Sequence, residues 1–509
     1  MDLPVLIVGA GPGGLVLACD LARRGVRLRV IERDLRAPDY RSGSRGKGMQ
    51  PRTLEVYDDL GMMPAVHAAG GPYFPGMGWD GPVQTGEIKL PRTDPKSPTP
   101  DVPYPSPWML PQPRALEILR NQLKELGGDV EFAAQLRTLA RDDDGVTVTV
   151  AHANGSTETI RCAFLIGADG ARGVTRTAAE IPFVSEPTDQ QAMVTADVVI
   201  AGLGRNHWHM WDKAPGGALW LLPLAQTEAF QLYAKYDHGD PDVTDEGLRR
   251  MIHERTGNAG LDIREIWWAS TFSSRLGMAE RFRKGRVFLV GDAAHIHPPA
   301  GGQGMNTSVQ DSFNLGWKLG QVLLHGAPDS LLDTYEEERL PIAANLLQFV
   351  SQIHKNWMGT GGAGQPQGDS QQIGLNYRGG TLTRHEPTDG LIQAGDRAPD
   401  APLQDSKGAS LRMFDILRGP HFTVLALGGF EPPQLDKRFG DAVRIHSIVE
   451  AAPSAGKARN GALVDIGGHA HKHYGHAVIV IRPDNYLGYA SAGPAAAKGA
   501  ADYLARFFG

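Results

Sequence analysis

The first residues of the chain, LPVLIVGAGPGGLVLACDLARRGVRLRVIER, leave few folds open to it. Leu3 to Val8 is an apolar run too short for a helix, and Gly9, Gly11, Gly13 and Gly14 crowd the stretch that follows. Leu15, Leu17, Ala18, Leu21 and Ala22 then recur at helical spacing, and a second apolar run, Val26 to Ile31, ends at Glu32. Strand, tight turn, helix and strand with a terminal acid predict a dinucleotide site. The glycines let the backbone approach a pyrophosphate at a helix N-terminus, and the acid accepts hydrogen bonds from an adenosine ribose. NAD and FAD share that ADP half, so the turn alone does not choose between them.

A second junction has the same logic. GRVFLVGD, 285 to 292, reads as a buried strand ending in an acid, and AAHIHPPAGGQGMN after it has no amphipathic period. From Met305 onward Val309, Phe313, Gly316, Gly320 and Leu323 recur at helical spacing, so this loop ends at a helix N-terminus. Such a terminus stabilises an anion by up to ~2 kcal/mol. A reduced flavin carries negative charge at N1 and the C2 carbonyl, which a nicotinamide does not.

Size and charge bound the rest. A chain of 509 residues predicts two or three domains. With a net charge of −6 and no run of Lys or Arg, there is no electrostatic basis for binding nucleic acid. MDLPVLIVGAG shows no basic leader, long apolar segment or cleavage site, so a cytoplasmic protein without membrane association is expected. Cys19 and Cys162 are the only cysteines and form no Cys-x-x-Cys, which argues against a disulfide framework and fits a reducing compartment.

Three stretches in order, GAGPGG at 9 to 14, GADGARGVTR at 167 to 176 and GDAAHIHPPAGGQGMN at 291 to 306, resemble the class A flavoprotein monooxygenases, the p-hydroxybenzoate hydroxylase-like aromatic hydroxylases. The resemblance spans roughly residues 1 to 350. It implies an α/β fold: a Rossmann-like FAD-binding domain, an interleaved substrate-binding β-sheet domain, and a C-terminal thioredoxin-like domain. The expected boundaries are 1–180 and 281–357 for the FAD-binding domain, 181–280 for the substrate domain, 358–394 for a linker and 395–509 for the tail.

By the same resemblance Gly9, Gly11, Gly13, Gly14, Glu32 and Arg33 hold the ADP half of FAD, and Gln112 and Asp292 the ribityl chain. Gly302, Gly304, Met305 and Asn306 lie at the flavin pyrimidine, to which Met305 and Asn306 present backbone N–H groups. Asp169, Gly170, Arg172 and Arg176 match a segment serving both FAD and NAD(P)H, with Gly173 replacing the usual serine. Arg45, in SGSRGKG, belongs beside a mobile isoalloxazine ring, and Pro299 at the flavin–substrate junction. His297 is expected toward the substrate, which makes Arg45, Pro299 and His297 the catalytic candidates.

The implied chemistry is reduction of FAD by NAD(P)H, NADPH being favoured, then reaction with O₂ to a flavin C4a-hydroperoxide. That species hydroxylates a phenolic or polycyclic aromatic substrate in a site that excludes water. A base or proton relay is expected, and the sequence does not identify it. A flavin reductase that inserts no oxygen and a non-enzymatic FAD-retaining binder are the alternatives. Strand-like runs at 192–200, 218–224 and 229–234 predict a sheet over the flavin. Trp208, Met210 and Trp220 are its substrate candidates, with Trp211, Trp267 and Trp268 nearby. The expected partner is a small aromatic molecule, and the expected state a monomer or homodimer.

TGGAGQPQGDSQQ, 360 to 372, reads as a linker. In the tail, PHFTVLALGG and HAVIVIRPDNYLGYA supply strands and 495–508 a last helix, and without Cys-x-x-Cys thiol redox chemistry is excluded. His469, His471, His473 and His476 have the period of one strand face, with no acidic ligand close, and His295 and His297 lack partners at ligand spacing. No metal is expected.

Overall fold

Leu3–Val8 is buried through its second half on both faces of a sheet, which is why its sequence is a continuous apolar run rather than an alternating one. In the computed structural model, which describes residues 3–90, 96–187, 193–272, 275–298, 302–360, 371–451 and 461–509, this strand pairs in parallel with Leu28–Ile31 and with Thr157–Gly167. Val287–Leu289 extends the parallel sheet on the far side of Thr157–Gly167. The predicted strand–turn–helix is present, the helix running Pro12–Arg23.

That helix lies against the long helix Gly304–His325, and two glycines set the approach. A Cβ on Gly13 would meet Ser308 Oγ at 2.4 Å, and one on Gly316 would meet Asp20 Oδ2 at 2.2 Å. Asp20, fully buried, is held in its charged form by Arg23 and Arg24 despite the cost of burial. Cys19 on the same helix and Cys162 on Thr157–Gly167 are both buried, and burial pushes each thiol up to about 12.

The substrate domain is an antiparallel-rich sheet ordered Asp262–Phe272, Met193–Ala201, Ala229–Lys235, Leu219–Pro223, Trp208–Trp211, Gly76–Asp80 and Val83–Ile88. Its last two strands come from residues 76–88, so segment 181–280 does not build the sheet alone. One face carries Val194, Ala196, Val198, Leu219, Leu221, Phe230 and Leu232, packed on the helix Asp245–Thr256. The helix begins at Thr244, whose side chain accepts from Gly247 N–H, and ends at left-handed Gly257. The opposite face is not covered by this helix.

In the tail, Phe422–Leu427 pairs in parallel with Val443–Glu450 and antiparallel with Val478–Ile481, which pairs antiparallel with Leu487–Ser491. This is the thioredoxin-like order, closed by the helix Ala496–Ala505. The histidines do not lie on a strand face: His469–Tyr474 is a short helix started by Asp465, whose carboxylate accepts from the backbone of Ala470 and His471. Asp465 lies close in the sequence, whereas Asp389 and Glu450 close in on His476 from distant segments, of which the local sequence gave no sign. Tyr377, inside the expected linker, is buried and accepts from Arg339; residues 361–370 lie outside the described residues. Among the described residues no helix is long and apolar enough to cross a membrane.

The tail is joined to the FAD-binding domain by a buried ionic seam. Arg482 reaches both oxygens of Glu338 at 2.5 and 3.0 Å and also Asp484, while Lys318 Nζ lies 2.7 Å from Glu338. Trp317 Nε1 donates to Asp484 and Arg397 pairs with Glu55. Burial alone would raise Glu338, but Arg482 and Lys318 hold it down at about 2. Arg482→Met leaves two buried carboxylates short of a cation and is expected to cost about 3–5 kcal/mol, read as a lower urea midpoint. An unchanged midpoint would show that this seam does not carry the docking.

Candidate functional site

Four glycines in the first turn have four different surroundings. Gly9 has φ +106°, and a Cβ there would strike Ala168 O at 2.4 Å; one on Gly14 would strike Gly9 O at 2.1 Å, and Gly13 is closed by Ser308. Gly11 differs. Its φ is −72° and a Cβ added to it meets nothing within 4 Å. Neither packing nor backbone conformation requires glycine at 11, so the bare backbone is explained by a group that approaches from outside, at the N-terminus of Pro12–Arg23. Glu32, half-buried at the end of Leu28–Ile31, accepts from Ala10 N–H at 2.8 Å, which fixes its carboxylate against the same turn; Arg33 beside it is exposed.

Gly46 is the meeting point of the central elements. Its N–H donates to Gln112 Oε1 and its carbonyl accepts from Gln112 N–H, while the Met305 side chain lies 3.5 Å from the position of its missing Cβ. Gln112 starts the helix Gln112–Glu125, and Met305 and Asn306 stand in the first turn of Gly304–His325, where backbone N–H groups have no intrahelical acceptor. The Asn306 side chain is used within the protein: it accepts from Gln50 N–H and donates to the carbonyls of Gly48 and Gly302. Gly302, with φ +59°, turns the chain into this helix.

Asp292 is enclosed by protein on most sides yet open to solvent, which puts it on the wall of a cleft. Its enclosure raises its carboxyl above the ordinary value. His297 donates from Nδ1 to Pro298 O at 2.7 Å, its Nε2 is buried without a partner, and burial pushes the ring down to about 4. It is neutral at pH 7 with a lone pair on Nε2. His295 instead points to Asp311, itself paired with Arg339, and serves the loop's own packing. Asp169 accepts from the backbone and hydroxyl of Thr175, capping Val174–Ala178. A Cβ on Gly173 would lie 2.2 Å from its carboxyl carbon, so the glycine that departs from the family pattern makes room for Asp169. Arg176 is drawn to Ala293 O, while Pro299 lies outside the described residues.

The open face of the seven-stranded sheet carries Trp208, Met210, Trp220, Gln231, Tyr233, Asp197 and Trp268, as the cross-strand pairs Met210↔Trp220, Trp220↔Tyr233 and Asp197↔Trp268 require. Trp208, Met210 and Trp220 therefore share one face. Trp211, one residue out of phase, is buried on the opposite face against Trp79, and Trp267 lies at the rim with Tyr40 and Glu265. Two cations from the SGSRGKG segment lean over this face. Arg45, exposed, sits 5.6 Å from the Trp268 ring, and Lys47 Nζ lies 4.5 Å from the Tyr233 ring and 5.7 Å from Trp208. The segment is fastened to the sheet from below: Asp197 accepts from Ser44 N–H at 2.7 Å, Gln231 donates to Ser44 O, and Lys47 donates to Gln231. Burial pushes the Asp197 carboxyl up to about 6, against the pull of the Ser44 hydrogen bond and Lys47.

Comparison with known proteins fits this geometry. The FAD binding domain family matches residues 2–350, and the family described as aromatic-ring hydroxylase, C-terminal, matches residues 392–509. The chain belongs to the class A flavoprotein monooxygenases. A flavin-dependent monooxygenase of Mycobacteroides abscessus is 40% identical over 84% of this chain and 90% of its own length. The 12-dehydrotetracycline 5-monooxygenase/anhydrotetracycline 6-monooxygenase of Streptomyces rimosus is 31% identical over 100% of this chain and 99% of its own. The solved structure of OxyS anhydrotetracycline hydroxylase from Streptomyces rimosus superposes with a TM-score of 0.76 at 28% identity, covering 100% of this chain and 99% of that one.

Sequence reasoning about this flavoprotein missed Ser44, Lys47, Asp197, Gln231 and Tyr233. The signal for two of them was present: Asp197 in MVTADVVIA and Gln231 in AFQLYAK are polar residues in the middle of apolar strands. In the monooxygenase, Gly11→Ala is expected to leave the urea midpoint within about 0.5 kcal/mol yet lower the flavin-to-protein absorbance ratio, whereas Gly14→Ala lowers the midpoint itself. Equal loss of stability in both would sink the distinction. Asp197 gives a pH signature. Its folded-state value lies above the ordinary 3.8, so its ionisation weakens folding as pH rises from about 4 to about 6. Asp197→Asn should lose less stability than the parent between pH 4 and pH 7, by about 2–3 kcal/mol in paired urea titrations.

Proposed function

We propose that this monooxygenase hydroxylates a phenolic, polycyclic aromatic substrate, consuming NAD(P)H and O₂. The observation that carries the reading is the open sheet face, where an aromatic floor of Trp208, Tyr233 and Trp268 lies under two cations, Arg45 and Lys47. A flat aromatic ring stacks on such a floor, and a phenolate oxygen is stabilised by the cations. The relatives named for tetracycline intermediates support a polycyclic rather than a single-ring substrate.

The residues fit FAD. Gly11 and the N-terminus of Pro12–Arg23 would take the pyrophosphate, Glu32 the adenosine ribose, Gln112 and Asp292 the ribityl chain, and the N–H groups of Met305 and Asn306 the pyrimidine. When bound, FAD supplies the redox centre that takes hydride from NAD(P)H and delivers one oxygen atom of O₂ to an electron-rich ring. Arg45 stands on a segment whose backbone is tied at Ser44 and Gly46, which limits its movement to a short arc beside the sheet. The free Nε2 lone pair of His297 accepts a hydroxyl hydrogen from a substrate placed against the loop. Tyr233, raised by burial, stays protonated, and its hydroxyl oxygen accepts from Lys47 Nζ. The tryptophans exclude water from the reacting ring.

The test is NAD(P)H oxidation by the purified yellow protein across a panel of single-ring and polycyclic phenols under ¹⁸O₂. Polycyclic phenols are expected to stimulate oxidation most and to yield a product with one ¹⁸O. Stimulated oxidation that releases only peroxide would favour the reductase reading, and binding without stimulation the binder. Arg45→Ala should slow flavin reduction in rapid mixing more than it lowers flavin content; unchanged reduction would remove Arg45 from the mechanism.

A further inference from the structure

The tail holds a second constellation that hydroxylation does not use. His471 and His476 face each other with ring centroids 5.3 Å apart, and Glu450, at the end of Val443–Glu450, closes the third side. The His471, His476 and Glu450 ligand atoms all lie within 4.8 Å of one another, and His476 Nε2 is 3.4 Å from Glu450 Oε1. Ligands on a tetrahedral zinc with bonds of about 2.0–2.1 Å are separated by about 3.4 Å, so one edge is already formed.

Both imidazoles are oriented from behind by carboxylates. Asp465 Oδ2 accepts from His471 Nδ1 at 2.8 Å, and Asp389 Oδ2 from His476 Nδ1 at 2.7 Å, while each acid also accepts its histidine's backbone N–H. Each Nδ1 therefore carries a proton, the arrangement that carboxylate–histidine–metal triads use; His471 Nε2 is left with a lone pair, while His476 Nε2 faces Glu450 and gives up its proton when a metal ion takes its place. His471 is only 7% exposed, and its Nε2 is buried with no hydrogen-bond partner. A buried lone pair beside a second imidazole and a carboxylate is a set of acceptors lacking a cation. The backbone makes room for this placement: a Cβ on Gly428 would strike the His476 ring at 2.2 Å, and one on Gly475 would strike Asp389 at 2.5 Å.

We propose that His471, His476 and Glu450 bind a divalent transition-metal ion, Zn²⁺ foremost, with water as the fourth ligand. Two neutral imidazoles and one carboxylate suit zinc and leave one position open. The ion links three segments distant in sequence, around Asp389, Glu450 and the helix His469–Tyr474, and so staples this edge of the domain in a chain that has no disulfide to do it. His469, half-buried, and His473, turned toward Asp101, stand outside the set.

The test uses untagged holoenzyme, stripped with chelator, desalted and titrated with Zn²⁺ against a chromophoric competitor. One equivalent per chain is expected, with a raised thermal midpoint. Co²⁺ should give d–d absorption at wavelengths beyond the flavin bands. Glu450→Gln and His476→Ala, both at exposed side chains, should abolish the Co²⁺ band while leaving flavin content unchanged. Asp389→Asn, which alters the group that holds the His476 ring and backbone from behind and is not itself a ligand, should weaken Zn²⁺ binding about 10- to 100-fold. Absence of retained Zn²⁺ and of a Co²⁺ spectrum in the parent protein, or equal retention by the Glu450→Gln, His476→Ala double variant, would overturn the proposal.

Discussion

Glu338 is a fully enclosed carboxylate that stays ionised only because Arg482 comes from the tail and Lys318 from the long helix to meet it. That helix, Gly304–His325, carries Met305 and Asn306 in its first turn, beside Gly46 and Gly48, and meets the seam at Trp317 and Lys318. A burial cost of several kcal/mol per ion makes the arrangement intolerant of separation, so the tail and the long helix hold each other in place. The tail carries no cysteine, and what the structure shows of it is this docking.

The substrate side depends on a different constraint. A strand exposes alternate residues to opposite faces, and the sheet uses that parity to send Val194, Ala196 and Val198 to the helix and Thr195 and Asp197 to the cleft. The SGSRGKG segment, glycine-rich and without a helix or strand of its own at Arg45, acquires its shape from side chains that rise out of this sheet. The position of Arg45 is therefore set by the sheet beneath it through Ser44 and by Gln112 through Gly46.

Much of this was legible in the chain because it was local. The strand Leu3–Val8, the turn after it and the strands of the substrate sheet followed from runs of a few residues. Parity would also have separated Trp211 from Trp208 and Met210. Gly76–Asp80 and Val83–Ile88 were not legible as sheet members, because the second is almost wholly exposed and carries no alternating pattern. The histidines of the tail misled for the opposite reason: their spacing imitated a strand, and although Asp465 is near in the sequence, the acids beside His476 arrive from residues 389 and 450. Long-range carboxylates leave no local trace.

The two cysteines gain a meaning from the chemistry around them. Oxygen activation leaks peroxide whenever reduced flavin meets O₂ without transferring an oxygen atom, so such an enzyme lives in its own oxidant. Only thiolate reacts readily with peroxide. Cys19 and Cys162 are buried and pushed up to about 12, so both stay protonated at pH 7. Neither cysteine therefore offers peroxide a ready target, and oxidative damage during uncoupled turnover falls first on other side chains, the 13 methionines among them.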